Sequence, residues 1–269
     1  MDEYHMALEI AEHLKAGHSV AVAFNIEKIG SSPAREGAAM LVTADGGQIG
    51  SVGGGSIELI IHRRCQEALA EQKDSFYDIP LNEADMICGG RIKGVIKVFK
   101  ARPYLIIAGG GHIGHALYKH ALLHDLDIAV VDSRPGIFDD GRFAEAAACV
   151  AGYDMLPPAA RQKPYVVVTT FGSQSDFEAA AYFLSEAIDF SYLGMLGSIK
   201  KLKDIFARLT ADAAIKQNIE RCAHKIYAPI GLGIASDKPD EIALAILAEI
   251  VMLKNNGHSR PLKQEELYL

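Results

Sequence analysis

Blocks of like charge, long apolar runs and metal-ligand spacings are all missing from this chain of 269 residues. With 27 basic and 34 acidic side chains the formal net charge is -7, and no stretch carries five like charges in a row. A phosphate-tracking surface for nucleic acid is therefore not expected. Apolar runs such as Tyr104 to Ala108 fall far short of the ~20 residues that cross a bilayer. The opening MDEYHMALEI is acidic and amphipathic, without a signal-peptide core. No membrane association is expected, and the cytoplasm is the expected location. Cys65, Cys88, Cys149 and Cys222 form no C-x-x-C pair, and no H-E-x-x-H occurs, which speaks against a structural zinc site. In a reducing compartment Cys65, Cys149 and Cys222 read as small buried hydrophobes.

What is present is a folded composition, 49% apolar and 23% charged. Met6, Ile10 and Leu14 followed by Gly17 predict an amphipathic first helix with a glycine stop. Val20, Val22, Phe24 and Ile26 alternate as a half-buried strand would, and Ala38 to Thr43, Asp45-Gly46-Gly47 and Gln48 to Ser51 read as a hairpin. Ser56 is placed to cap a helix with Ile57, Ile61 and Ala68 on its inner face. Ile92, Gly94, Ile96 and Val98 predict a strand with one face partly open to water. Residues 1–100 thus read as a smaller α+β domain. From residue 101 the pattern becomes apolar strand, glycine turn, helix, repeated, with strands at Tyr104 to Ala108, Ile128 to Asp132, Tyr165 to Thr170, Phe190 to Leu193 and Lys225 to Ala228. That is an α/β, Rossmann-like, doubly wound parallel sheet over residues 101–257, with a last helix from about Asp237 and a tail at 258–269.

Directly after the first of these strands, Gly109, Gly111 and Gly114 form G-x-G-x-x-G, with Gly110, His112 and Ile113 between them. The first glycine permits the tight turn, the second lets a pyrophosphate approach, and the third lets helix and strand pack closely. Asp132, eighteen residues past Gly114, is placed to accept hydrogen bonds from ribose hydroxyls. NAD(P) or another nucleotide is the ligand this pattern calls for, and the alternative is that the fold persists with its nucleotide pocket unused. His112 reads as a solvent-facing turn residue.

In the first domain, Gly53-Gly54-Gly55-Ser56 runs from a strand into a helix, so backbone N–H groups could converge there on an anion. Three glycines can equally make an awkward turn. Cys88-Gly89-Gly90 precedes a strand, with two glycines clearing an approach to the sulfur. A thiolate there suits a soft metal, while a buried structural cysteine is the plainer reading.

Taken in order, Gly30-Ser31-Ser32-Pro33 through Gly37-Ala38, GSVGGGSIE at Gly50 to Glu58, and CGG at Cys88 resemble the first domain of the XdhC/CoxI family of xanthine dehydrogenase accessory proteins. The resemblance continues through AGGGHIG from Ala108, VDSRPGIFDDGRF from Val131, YLGMLGS from Tyr192 and PIGLGIASDKPDEIALAILAEI from Pro229, covering nearly the whole chain. It implies a chaperone for the molybdenum cofactor (molybdopterin), which protects the cofactor during sulfuration and delivers it to a xanthine dehydrogenase-type molybdenum enzyme. A cysteine desulfurase is then an expected partner and a homo-oligomer the expected assembly. The implied cofactor residues are Gly53 to Ser56 and Cys88 to Gly90, with Cys88 as metal ligand. Three positions depart from the family pattern. Thr170-Phe171-Gly172-Ser173 stands where histidines are common, Gly233 where an aspartate is, and Ser56 where some relatives have cysteine. These departures weaken any case for proton transfer or a metal site in the second domain. Two other readings stay open, an NAD(P)-dependent oxidoreductase and a non-catalytic nucleotide sensor in enzyme assembly.

Overall fold

The structure is a computed structural model that describes residues 3–30, 34–80, 90–185 and 188–259. The chain divides into two compact units, residues 1–102 and 103–269.

In the first unit the elements run α1 (Glu3–Lys15), β1 (Val20–Ile29), β2 (Ala39–Thr43), β3 (Gln48–Gly50), α2 (Gly55–Glu71), β4 (Ser75–Pro80) and β5 (Arg91–Phe99). The strands form an antiparallel sheet in the order β3-β2-β1-β5-β4. β1 is buried on both faces at its start, not one as the alternation predicts. Ala21 and Ala23 join Ile57, Ile61 and Cys65 of α2, while Val20 and Val22 pack with Met6 of α1 and Leu41. The two alanines are too small to register as an apolar face in sequence, yet they let α2 lie close to the sheet. Beyond Asn25 the strand emerges into solvent, and Ile26 is 61% exposed. β4 has no counterpart among the expected strands because Asp78 and Pro80 break its pattern.

The second unit carries β6 (Tyr104–Ala108), α3 (His112–Ala121), β7 (Asp127–Val131), β8 (Ala148–Val150), β9 (Tyr165–Val168), α4 (Ser173–Ser185), β10 (Tyr192–Met195), α5 (Ile199–Leu209), α6 (Ala213–Cys222), β11 (Ile226–Tyr227) and α7 (Pro239–Lys254). All its pairings are parallel, in the order β11-β10-β9-β6-β7-β8. Leu105 and Ile107 of β6 face α3 and α7, and Ile106 and Ala108 face α4 and α5. This is the doubly wound sheet, and its order reverses between β6 and β9, where such sheets open a ligand crevice at the strands' carboxyl ends.

Two cysteines differ from expectation. Cys65 is buried, and burial alone pushes its thiol up to about 12. Cys149, by contrast, is exposed and Cys222 only half-buried. Cys149 lies on β8, a three-residue edge strand, and Cys222 in the last turn of α6, so neither position is enclosed. No helix among the described residues is long and apolar enough to cross a membrane. Residues 260–269 of the tail lie outside the described residues.

Candidate functional site

The first unit contains a cavity of about 900 Å³ between α1, β1 and the glycine loop, lined by Met6, Ile10, Phe24, Arg35, Ser51 and Gly54 among others. The loop takes its course from three successive glycines with φ of +145° at Gly53, +78° at Gly54 and +60° at Gly55, a run that side chains disfavour. At Gly53 a Cβ would lie 2.8 Å from that of Ala34, so the loop abuts the 34–38 segment. At Gly54 a Cβ would meet nothing within 4 Å.

The helix start differs from expectation. α2 begins at Gly55, its N-cap is Gly54, and Ser56 lies inside the first turn without capping it. Glu58 takes over that task. Its Oε1 accepts from Gly54 N at 3.0 Å and from the Ser51 hydroxyl, and Gly53 N donates to Ser51 Oγ at 3.3 Å. Partial burial works against the charge, but hydrogen bonds from Ser51, Gly54 and Gln48 outweigh it and hold the Glu58 carboxyl below its ordinary range. The N–H groups of Gly53 and Gly54, expected to face an anion, are thus used within the chain. Those at the following helix start have no intrahelical partner.

Sequence reading missed the brace behind this cavity. The buried Asn25 donates from Nδ2 to Val52 O at 2.7 Å and to Arg35 O at 3.1 Å, tying both loops to β1. Its Oδ1 accepts from Tyr77 OH at 2.7 Å. Tyr77 sits on β4, with Gly94 of β5 paired between it and Asn25. A Cβ on Gly94 would lie 2.1 Å from the Tyr77 ring, so glycine there is what lets the tyrosine cross β5. Gly90 is buried just before β5. Cys88 and Gly89 lie outside the described residues.

In the second unit the glycines have distinct surroundings. Gly109 has φ +115°, and a Cβ there would lie 2.4 Å from Thr169 O. A Cβ on Gly114 would lie 1.9 Å from Gly109 O, so only glycine lets α3 meet β6 this closely. Gly110 packs on Ile137 and Phe143, while the space beside Gly111 is open except for Arg134 Nη2 at 3.8 Å. Gly111 is the N-cap of α3, which has no side-chain cap and no acid in its first turn, leaving the positive helix end uncompensated. His112 is exposed and Ile113 half-buried against the core.

Asp132, expected to face a ribose, is engaged within the chain. Its side chain is only 1% exposed. Oδ2 accepts from Gly110 N at 2.8 Å and Arg134 Nη2 at 2.6 Å, and Oδ1 from Arg134 N at 3.0 Å and Nε at 2.9 Å. All four donors come from within the chain, so a ribose diol would reach this carboxylate by displacing the Arg134 side chain. Burial opposes its charge, yet these bonds keep its carboxyl below the usual range.

Beyond β9, Asp176 Oδ1 accepts from Thr170 Oγ1 at 2.6 Å and from Thr170 N at 3.2 Å, and Oδ2 pairs with Lys201. Sequence did hold a signal for this carboxylate. Asp176 shares the inner stripe of α4 with Ala179, Ala180 and Phe183, where an acid needs a partner. Among the described residues no three His, Cys, Asp or Glu side chains converge to hold a metal ion.

Residues 105–250 match the model of the XdhC Rossmann domain, and residues 13–79 that of the XdhC and CoxI family. The chain is 32% identical over 251 residues to the uncharacterized protein YqeB of Escherichia coli K12, covering 88% of this chain and 44% of that protein. It is 24% identical over 162 residues to a probable xanthine dehydrogenase subunit of Bacillus subtilis 168, covering 59% and 45%. The chain therefore spans less than half the length of these curated relatives. A solved structure described as a xanthine dehydrogenase from Bacillus halodurans aligns over 97% of this chain and 98% of its own, at 20% identity and a TM-score of 0.48. The Rossmann-domain model alone spans more than half of the sequence, with its glycine turn in the geometry described above, and the second model falls on the first unit; the chain belongs to the XdhC and CoxI family.

Proposed function

We propose that the chain serves the maturation of a xanthine dehydrogenase-type molybdenum enzyme, by binding the molybdenum cofactor in its first unit, protecting it during sulfuration and delivering it. Family membership supports the enzyme class, and the Bacillus subtilis relative, described as a probable subunit of xanthine dehydrogenase, supports the same assignment. The observation that carries the binding step is the cavity of about 900 Å³. Its lining suits a ligand with a flat organic body and one anionic end. Arg35 would hold the anion, since the Glu58 carboxylate already occupies the start of α2, and Met6, Ile10 and Phe24 would cover the body. The open space at Gly54 leaves the loop backbone accessible. When bound, the cofactor supplies redox-active molybdenum, which is used in the client enzyme; this chain's residues bind, orient and shield it. A cysteine desulfurase as sulfur donor and a homo-oligomeric assembly belong to the same proposal.

The test is purification from cells that make active molybdenum cofactor, followed by measurement of bound molybdenum and pterin fluorescence. Both are expected near one per chain, and Arg35→Gln, which removes the cation that lines the cavity without touching the glycine loop, is expected to lose most of each. Absence of pterin and molybdenum from the unmodified protein would overturn the reading.

A further inference from the structure

A second cavity, of about 380 Å³, lies wholly within the second unit, where the loops following β7, β8 and β9 meet α4. It is large enough for a nucleoside and lies beside the point where the strand order reverses. Tyr153 and Tyr182, stacked with ring centroids 5.2 Å apart, line it together with Asp154 and Glu178. The two carboxylates accept hydrogen bonds from amino and hydroxyl groups, and they repel any anion that enters the cavity itself. A phosphate must stay at the mouth.

Arg134 stands beside this lining. Its guanidinium bridges two lining residues, donating to Asp132 and lying 5.2 Å from the centroid of the Phe171 ring. Asp132 engages Nε and Nη2, so both donors of Nη1 have no partner among the described residues. The bidentate bond fixes the cation in place, and it remains 37% exposed. In sheets of this winding, a free carboxylate after the second strand reads an unmodified ribose, and an arginine nearby takes a ribose phosphate. Here the carboxylate is filled and the arginine is offered.

We propose that this cavity binds a purine nucleotide whose ribose carries a 2′- or 3′-phosphate ester. Arg134 is the specificity-determining residue, and the base and free hydroxyls face Asp154 and Glu178. The assignment is independent of what the first unit binds.

The test is calorimetric titration of the full chain with adenosine 2′,5′-bisphosphate, adenosine 3′,5′-bisphosphate and 5′-AMP. One bisphosphate is expected to bind at least about tenfold more tightly than 5′-AMP, the scale of one charge-assisted hydrogen-bond set. Arg134→Gln should reduce that preference to within about twofold while 5′-AMP affinity stays the same, and Arg134→Lys should keep part of it. Thermal unfolding of each variant reports whether Asp132 tolerates the change; if Arg134→Gln does not fold, the preference of the unmodified chain decides. Equal or tighter binding of 5′-AMP, a preference that survives Arg134→Gln, or no binding of any of the three at millimolar concentration would overturn the proposal.

Discussion

Asn25 fixes the shape of the first cavity although it contributes no surface to a ligand. Its amide draws the Arg35 and Val52 carbonyls to one point, and Tyr77 holds the amide from across β5. Tyr77→Phe removes one hydroxyl and leaves the buried Asn25 Oδ1 without its donor. A buried acceptor left unpaired costs about 1–3 kcal/mol, so urea denaturation should show a loss of that size, together with weaker pterin retention as the two loops loosen. Unchanged stability would mean that another donor reaches Asn25. Glycine positions were legible in the sequence because a positive φ or a close approach leaves glycine as the fitting residue. Asn25 and Tyr77 were not legible, because their partners lie 27 and 52 residues away and give no local pattern; Glu58 bonds Gly54 only four residues away, a local contact hidden by the more usual capping residue Ser56 between them. Ser56 misled for the related reason that a serine before an apolar helical stripe normally caps, whereas here the cap falls two residues earlier on Gly54.

The two ends of the glycine turn before α3 make different demands on that element. At Gly114 the helix touches the backbone of Gly109, and any side chain must push β6 and α3 apart. At Gly111 the helix end is open. Gly114→Ala is therefore expected to cost about 3 kcal/mol or more through overpacking, seen as a clear fall in the melting temperature. Gly111→Val should melt close to the unmodified protein yet bind adenine nucleotides at least about tenfold less well, since its side chain blocks the approach to the N-terminus of α3. Equal melting temperatures for the two variants would contradict this division of roles. Among elements, α1 could be read from its periodic apolar spacing, α7 from its acidic first turn and its Asn-Gly stop, and β6 and β9 from their unbroken apolar runs. Short edge strands could not, and β8 has only Ala148–Val150 to announce it. The two-sided burial of β1 depends on α1 and α2 arriving from both directions, which the strand's own residues cannot show.

At the scale of the whole molecule, each of the two units carries its own cleft, one beside an antiparallel sheet and one at the reversal point of a parallel sheet. The change of pattern near residue 100 was readable because strand chemistry changes there, from alternating apolar and polar positions to nearly unbroken apolar runs. What each cleft holds was less readable, since the pairing of Asp132 with Arg134, two residues on, is not announced by their types alone. Delivery of the cofactor to a molybdenum enzyme is decided by reconstitution. Cofactor-free xanthine dehydrogenase-type enzyme is mixed with the full chain purified from cofactor-making cells, and its hydroxylase activity is followed over time. Activity is expected to appear at a rate set by the chain's concentration, and the Arg35→Gln protein is expected to restore little of it. If the unmodified chain gives no more activity than free cofactor at the same molybdenum concentration, the chain does not deliver the cofactor.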